Sequence, residues 1–160
     1  ALGGTLTAAV AAANMAGNIL SGRLLSRGVT PPALLRVGFV AMGTGAFFAF
    51  AQWQEWHLPA VLQFLCVVGF SAMGGVIPGT LFSLAVRLAP SDDTVATTVG
   101  WVQQWSSIGQ FAGPPLVAWM AATTGGWQWT WVVTGSFCVL GWWLAGQVRG
   151  LLNSTTRVST

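Results

Sequence analysis

The stretch VGFVAMGTGAFFAFA, Val37 to Ala51, decides the fold class. A strand of an outer-membrane barrel would show runs of about 10 residues with polar and apolar side chains alternating. This stretch is apolar or small throughout and does not alternate, so it reads as helix. A helix that crosses a bilayer needs about 20 mostly apolar residues. Extended to Pro32 on one side and Gln52 on the other, the stretch has that length. Four more stretches of the kind can be marked, at about Leu2 to Gly22, Pro59 to Leu88, Thr94 to Ala122 and Trp127 to Val148. The expectation is an all-α polytopic membrane bundle of five transmembrane helices over residues 1–150, with a cytoplasmic polar tail over 151–160.

Composition agrees. Of the 160 residues, 54% are hydrophobic and 6% charged, where a soluble domain carries roughly 25% charged residues. The mean hydropathy is +0.68. A soluble fold has too few polar side chains here to cover its surface. The composition argues against an ordinary cytoplasmic enzyme, a disordered chain and a small disulfide-built domain. The net charge of +3 comes from six Arg against three acids. It reflects scarce acids rather than a dense basic patch, so no nucleic-acid partner is expected. Cys66 and Cys138 lie far apart inside apolar runs and read as small buried hydrophobes. The chain opens on Ala1 and is apolar at once, without the charged leader of a signal peptide. It reads as a segment cut from a longer protein.

The breaks between the spans have local chemistry. SRGVTPP, Ser26 to Pro32, combines a glycine stop with a proline start. QWQEWHLP, Gln52 to Pro59, is a polar hairpin, and His57 in it reads as an interfacial side chain. APSDD, Ala89 to Asp93, places Ser91, Asp92 and Asp93 where they can cap the fourth helix and suit its dipole. TTGG, Thr123 to Gly126, closes that helix. Arg23, Arg27 and Arg36 flank the first break, Arg87 the third, and Arg149 and Arg157 follow the last span. All six arginines fall on one side, which the positive-inside rule makes cytoplasmic, with the C-terminus inside. Trp53, Trp56, Trp127 and Trp129 cluster at the opposite ends, as an interfacial belt does. Trp101, Trp105, Trp142 and Trp143 lie deeper and read as packing or lipid contact.

No charged residue lies near the middle of a span, so a proton relay is not expected in these helices. Amides stand there instead. Asn14 and Asn18 share one face of the first helix. Gln103, Ser107 and Gln110 share a face of the fourth, and Gln63 lies early in the third. An amide in lipid must find a partner, so these faces point at protein or at a water-filled cavity. Plain interhelical hydrogen bonding and contact with a solute both remain open. The third span is interrupted by Gly74, Gly75, Pro78 and Gly79, and the fourth carries Gly109 and Gly113 before Pro114 and Pro115. Glycines at that spacing favour close helix packing, and prolines remove a helix hydrogen bond. Interrupted helices at depth are tolerated when buried in protein or lining a cavity, which favours a moving transporter over an anchor. The second and fifth spans are almost purely apolar and fit a lipid-facing shell.

GNILSGRLLSRG, Gly17 to Gly28, resembles the cytoplasmic loop motif of the major facilitator superfamily, which reads G-x-x-x-D-R-x-G-R-R. Gly17 matches the first glycine, and Arg23 and Arg27 supply basic charge; Ser21 and Gly22 stand where the Asp-Arg pair would be. The family carries the motif once in each half, and the second copy is usually the degraded one. The match therefore resembles the loop between helices eight and nine. LAPSDDTVATTVGWVQQWSSIGQFAGPPLVAW, Leu88 to Trp119, is similar to the family's tenth-to-eleventh loop and eleventh helix. The nearest feel is the cyanate-permease-like branch.

The resemblance covers essentially the whole chain and implies helices eight to twelve of a secondary transporter in a bacterial-type inner membrane. Helices two to six would give the same topology and stay open as a register. It implies alternating access, with the first and fourth spans at the seam between halves, the third lining the cavity, and the second and fifth facing lipid. Asn14, Asn18, Gln63, Gln103, Ser107 and Gln110 become cavity or seam candidates, and Arg23 and Arg27 gating-loop charges. Gly17, Pro78, Gly109, Gly113, Pro114 and Pro115 become bending or packing positions. The partners implied are the bilayer, a small solute and a missing N-terminal half. The fragment alone is expected to be inactive. A non-transporting membrane module is the second reading. An intramembrane enzyme is not expected, because the spans hold no paired carboxylates, no His cluster and no Ser-His arrangement. No metal or cofactor is expected either.

Overall fold

A computed structural model describes residues 2–52 and 58–158, with side chains of 149 and 151–158 left aside. Trp53, Glu55, Trp56 and His57 of the expected outer hairpin lie outside the described residues, as do the side chains of Arg149 and Arg157. Among the described residues the chain is all-helical. It forms five long helices, α1 (Leu2–Ser26), α2 (Pro31–Phe50), α3 (Ala60–Leu88), α4 (Val95–Thr124) and α5 (Thr130–Val158). Short 3-10 turns precede α4 and α5.

The ends follow from the turn residues. Gly28 takes a left-handed conformation (φ 88°) after α1. That turn lets the Val29 amide reach back to the Leu24 carbonyl at 3.0 Å. Pro31 and Pro32 then open α2, where a missing amide costs nothing. Ser91 and Thr94 close a capping box before α4. Gly125 (φ 75°) ends α4, its amide and that of Gly126 both turned back on the Ala121 carbonyl. α3 runs unbroken through Pro78, and α4 through Pro114 and Pro115. α5 also continues past Gly150 to Val158, where the sequence reads a polar tail from 151. No proline follows to stop it, and Leu151, Leu152 and Asn153 can all sit in a helix.

Among the described residues, three segments are long and apolar enough to cross a membrane: Pro31–Phe50, Ala60–Leu88 and Trp127–Val148. α1 and α4 have the length, but their Thr, Asn, Gln and Ser residues lower their apolarity. These two are the helices that carry the amide faces.

Packing runs in the order α1, α3, α2, α5. α1 lies parallel to α3, since Val10 meets Ser71 and Ser21 meets Gly79. α2 lies antiparallel to α3, with Gly38 on Ile77 and Gly45 on Phe70. α5 lies antiparallel to α2, with Gly43 on Cys138, Phe39 on Gly141 and Arg36 on Gly146. α2 is thus flanked on two sides rather than forming an outer shell, and Leu34, Leu35, Gly38, Ala46 and Ala49 are buried in it. α4 touches α3 and α5 lightly and buries only Ala121. Two buried clusters, Leu25–Leu34–Val76 and Leu35–Leu84–Ala145, bind the helices together. Both lie at the end of the bundle where Arg23, Arg27, Arg36 and Arg87 gather.

Candidate functional site

The polar residues of α1 are used against α3. Asn14 donates through Nδ2 to the Ser71 carbonyl at 2.9 Å, and Ser71 Oγ donates back to the Val10 carbonyl at 2.9 Å. Both bonds require the two backbones to approach closely. Glycines provide the space: a Cβ on Gly17 would strike the Ala72 carbonyl, and one on Gly75 the Asn14 carbonyl. Gly79 faces Ser21 Oγ and the Asn18 side chain. Ser21 is fully buried and donates to the Asn18 carbonyl at 2.7 Å. Asn14 and Asn18 nonetheless remain exposed. The seam is therefore a structural one with an open polar margin.

α4 presents a different surface. Gln103 Nε2 donates to Ser107 Oγ at 3.3 Å, and Gln110 Nε2 to Ser106 Oγ at 3.2 Å. Each pair lies one helical turn apart, so these side chains fold along their own helix. Gln103, Gln104, Ser107 and Gln110 are all exposed. Gly109 and Gly113 have nothing within 4 Å of where a Cβ would stand, so this glycine pair meets no helix among the described residues. α1 and α4 share no packed interface, and the two polar stripes expected to act together are not joined. Gln63 is half-buried near the start of α3, at the end opposite the arginines.

α4 approaches α3 beside Pro78. There a cleft of about 340 Å³ lies between Pro78, Leu81 and Phe82 on one side and Trp101, Trp105 and Ser106 on the other. Arg23 and Arg27 are exposed at the end of α1. Ser21 packs into α3 and Gly22 stands open. Trp101, Trp105, Trp142 and Trp143 are all exposed. Among the described residues, no three of His, Cys, Asp and Glu gather as metal ligands would.

Sequence reasoning passed over two residues that matter here. Ser71 is an ordinary serine in an apolar run, and only its partner Asn14 gave a signal. Arg36 was read for topology alone. Its guanidinium lies 5.1 Å over the Trp142 ring, and its enclosed Nε has no hydrogen-bond partner among the described residues. No protein-family model matches the chain, and searches of curated proteins and of solved structures find no match.

Proposed function

We propose that this chain forms part of a secondary-active transporter of the major facilitator kind, moving a small solute across a bacterial-type inner membrane by alternating access. The observation that carries the reading is the uncovered amide stripe of α4. Gln103, Ser107 and Gln110 are exposed on a helix of membrane-crossing length that buries only Ala121. In a bilayer such a stripe must face protein or water. The wall of a solute cavity meets that demand, and a second set of helices would supply the opposite wall. α1 and α4 then stand at the seam between halves, α3 beside the cavity, and α5 outside, with α2 packed between α3 and α5. The GNILSGRLLSRG segment supports the reading, with Arg23 and Arg27 as gating charges at the cytoplasmic face.

Cysteine accessibility in the inserted protein tests this. Cys66 and Cys138 are replaced by Ala, and single cysteines are introduced as Gln103→Cys, Gln110→Cys and Phe111→Cys. A membrane-impermeant maleimide should label positions 103 and 110 and spare 111. Equal protection of all three would sink the cavity reading.

A second reading, a membrane module with no transport, is favoured by one observation: the amides of Gln103 and Gln110 already have partners on their own helix. It expects protection at 103 and 110, and no solute flux when the complementary half is co-expressed.

A further inference from the structure

A groove of about 930 Å³ runs along the α2–α5 seam, between Val40, Phe47, Trp131, Val139 and Trp142. Its chemistry is almost wholly apolar. Two hydroxyls lie in it, and neither is free. Thr44 Oγ1 donates to the Val40 carbonyl at 2.9 Å, and Ser136 Oγ to the Val132 carbonyl at 2.8 Å. A polar solute would find no free hydroxyl along its walls, only the indole N–H groups of Trp131 and Trp142 and the weak thiol donor of Cys138. An alkyl chain would lose nothing there.

The groove has a charged end. Arg36 lies three and four residues before Phe39 and Val40, on the same face of α2. Its guanidinium rests over Trp142, the groove's last aromatic. Gly146 makes room for it, since a Cβ there would stand 2.6 Å from an Arg36 terminal nitrogen. Arg36 Nε is enclosed and lacks a hydrogen-bond partner among the described residues. A guanidinium held this way offers a fork of donors that matches a phosphate diester. The groove also has a telling length. From Arg36 to Phe47 the helix rises roughly 16 Å at 1.5 Å per residue. That is about half of a ~30 Å hydrocarbon core, roughly the reach of one acyl chain.

We infer that the α2–α5 groove is a specific site for an anionic phospholipid of the leaflet at the arginine end, its phosphate on Arg36 and one acyl chain in the groove. Charge complementarity at one end, an apolar trough about as long as an acyl chain and the absence of a free hydroxyl together select this occupant over a polar solute. The inference needs α2 and α5 to lie in a bilayer, and it is independent of whether the chain transports anything.

The whole chain, purified in a mild detergent, is offered phosphatidylglycerol or phosphatidylcholine of the same acyl composition, and retained lipid is counted by native mass spectrometry. Both lipids carry the phosphate diester, but the choline cation offsets its charge beside Arg36, so phosphatidylglycerol should be retained about tenfold better. Arg36→Gln should remove the preference, and Arg36→Lys should keep part of it. Val139→Trp leaves the charge in place and fills the trough from an exposed position, so it should lower retention of both lipids. Inorganic phosphate should not compete, because it lacks the chain. Equal retention of the two lipids by the native protein overturns the inference. So does a preference that survives Arg36→Gln, or phosphate displacing the lipid. Should Arg36→Gln fail to fold, retention unchanged by Val139→Trp would overturn it as well.

Discussion

Asn14 reaches across from α1 to the main-chain carbonyl of Ser71 on α3, 2.9 Å away, while the Ser71 hydroxyl returns to the Val10 carbonyl. The two bonds run in opposite directions across one seam, but each ends on a backbone oxygen. Neither side chain is the other's partner. In lipid, where apolar burial offers little drive for helix association, such bonds and close backbone packing hold helices together.

That arrangement has a consequence for a double-mutant cycle. Asn14→Ala removes the first bond and Ser71→Ala the second, and each should cost about 0.5–2 kcal/mol. Because Ser71→Ala keeps the carbonyl that Asn14 uses, the two losses should add, with a coupling below about 0.5 kcal/mol. Unfolding in mixed micelles with a denaturing detergent measures both singles and the pair. A coupling above 1 kcal/mol would mean that the seam shifts as one unit.

The glycines should divide into two groups. Gly17 and Gly75 sit where any Cβ would strike a carbonyl of the facing helix. Gly75→Val forces α1 and α3 apart and should cost more than about 3 kcal/mol, in the class of overpacked or broken interfaces. Gly109 and Gly113 face nothing within 4 Å. Gly109→Ala should be neutral, or stabilise α4 by up to about 1 kcal/mol, because alanine gives up less backbone entropy in a helix. The same micelle unfolding assay reads both variants. A large loss at Gly109 in the chain alone would show that α4 packs more tightly than the structure has it.

The five helices were legible from run length and the breaks from glycine, proline and acid, although only three segments among the described residues are apolar enough to cross a membrane. Val37 to Ala51 could be only a helix, and Gly28 and Gly125 stand where left-handed turns are needed. Which helix touches which was not legible. The apolar content of α2 suggested an outer shell, but Gly38 and Gly45 let α3 close on one side while Gly43 meets α5 on the other. Periodicity shows that a face is apolar, and it does not show whether lipid or another helix covers it. The polar stripes were legible as stripes. That Asn14 is engaged by α3 while Gln103 folds back on Ser107 depends on distances no spacing encodes. Arg36 was the hardest to read, because one arginine six residues into a helix looks the same whether it marks topology or a ligand.

Stability and function should separate on α4. Gln103 and Gln110 are exposed and bonded only within their helix. Replacing both by Leu should change the unfolding free energy of the chain by less than about 0.5 kcal/mol. If the stripe lines a solute cavity, the same pair in the protein joined to its complementary half should lower transport kcat/KM by about tenfold or more, the effect of losing polar contacts to a bound solute. Unchanged kinetics together with unchanged stability would leave the stripe without a solute role.

Orientation can be tested through the arginines. The packing brings Arg23, Arg27, Arg36 and Arg87 to one end of the bundle, because α1 and α3 run one way and α2 the other. In the sequence, Glu55 lies between α2 and α3, and no Arg or Lys stands between Arg36 and Arg87. Basic residues near span ends are retained on the cytoplasmic side, while acids contribute little. A fluorescent protein fused after Thr160 should therefore be bright, and alkaline phosphatase at the same place inactive. Phosphatase inserted between Gln52 and Leu58 should be active. The bias is distributed, so Arg23→Gln with Arg27→Gln should leave a mixed population rather than invert it. Adding two arginines after Gln52 in that variant should move phosphatase activity from the loop to the C-terminus. If the native C-terminal phosphatase fusion is active, the arginine end faces outward and the gating role given to Arg23 and Arg27 falls with it.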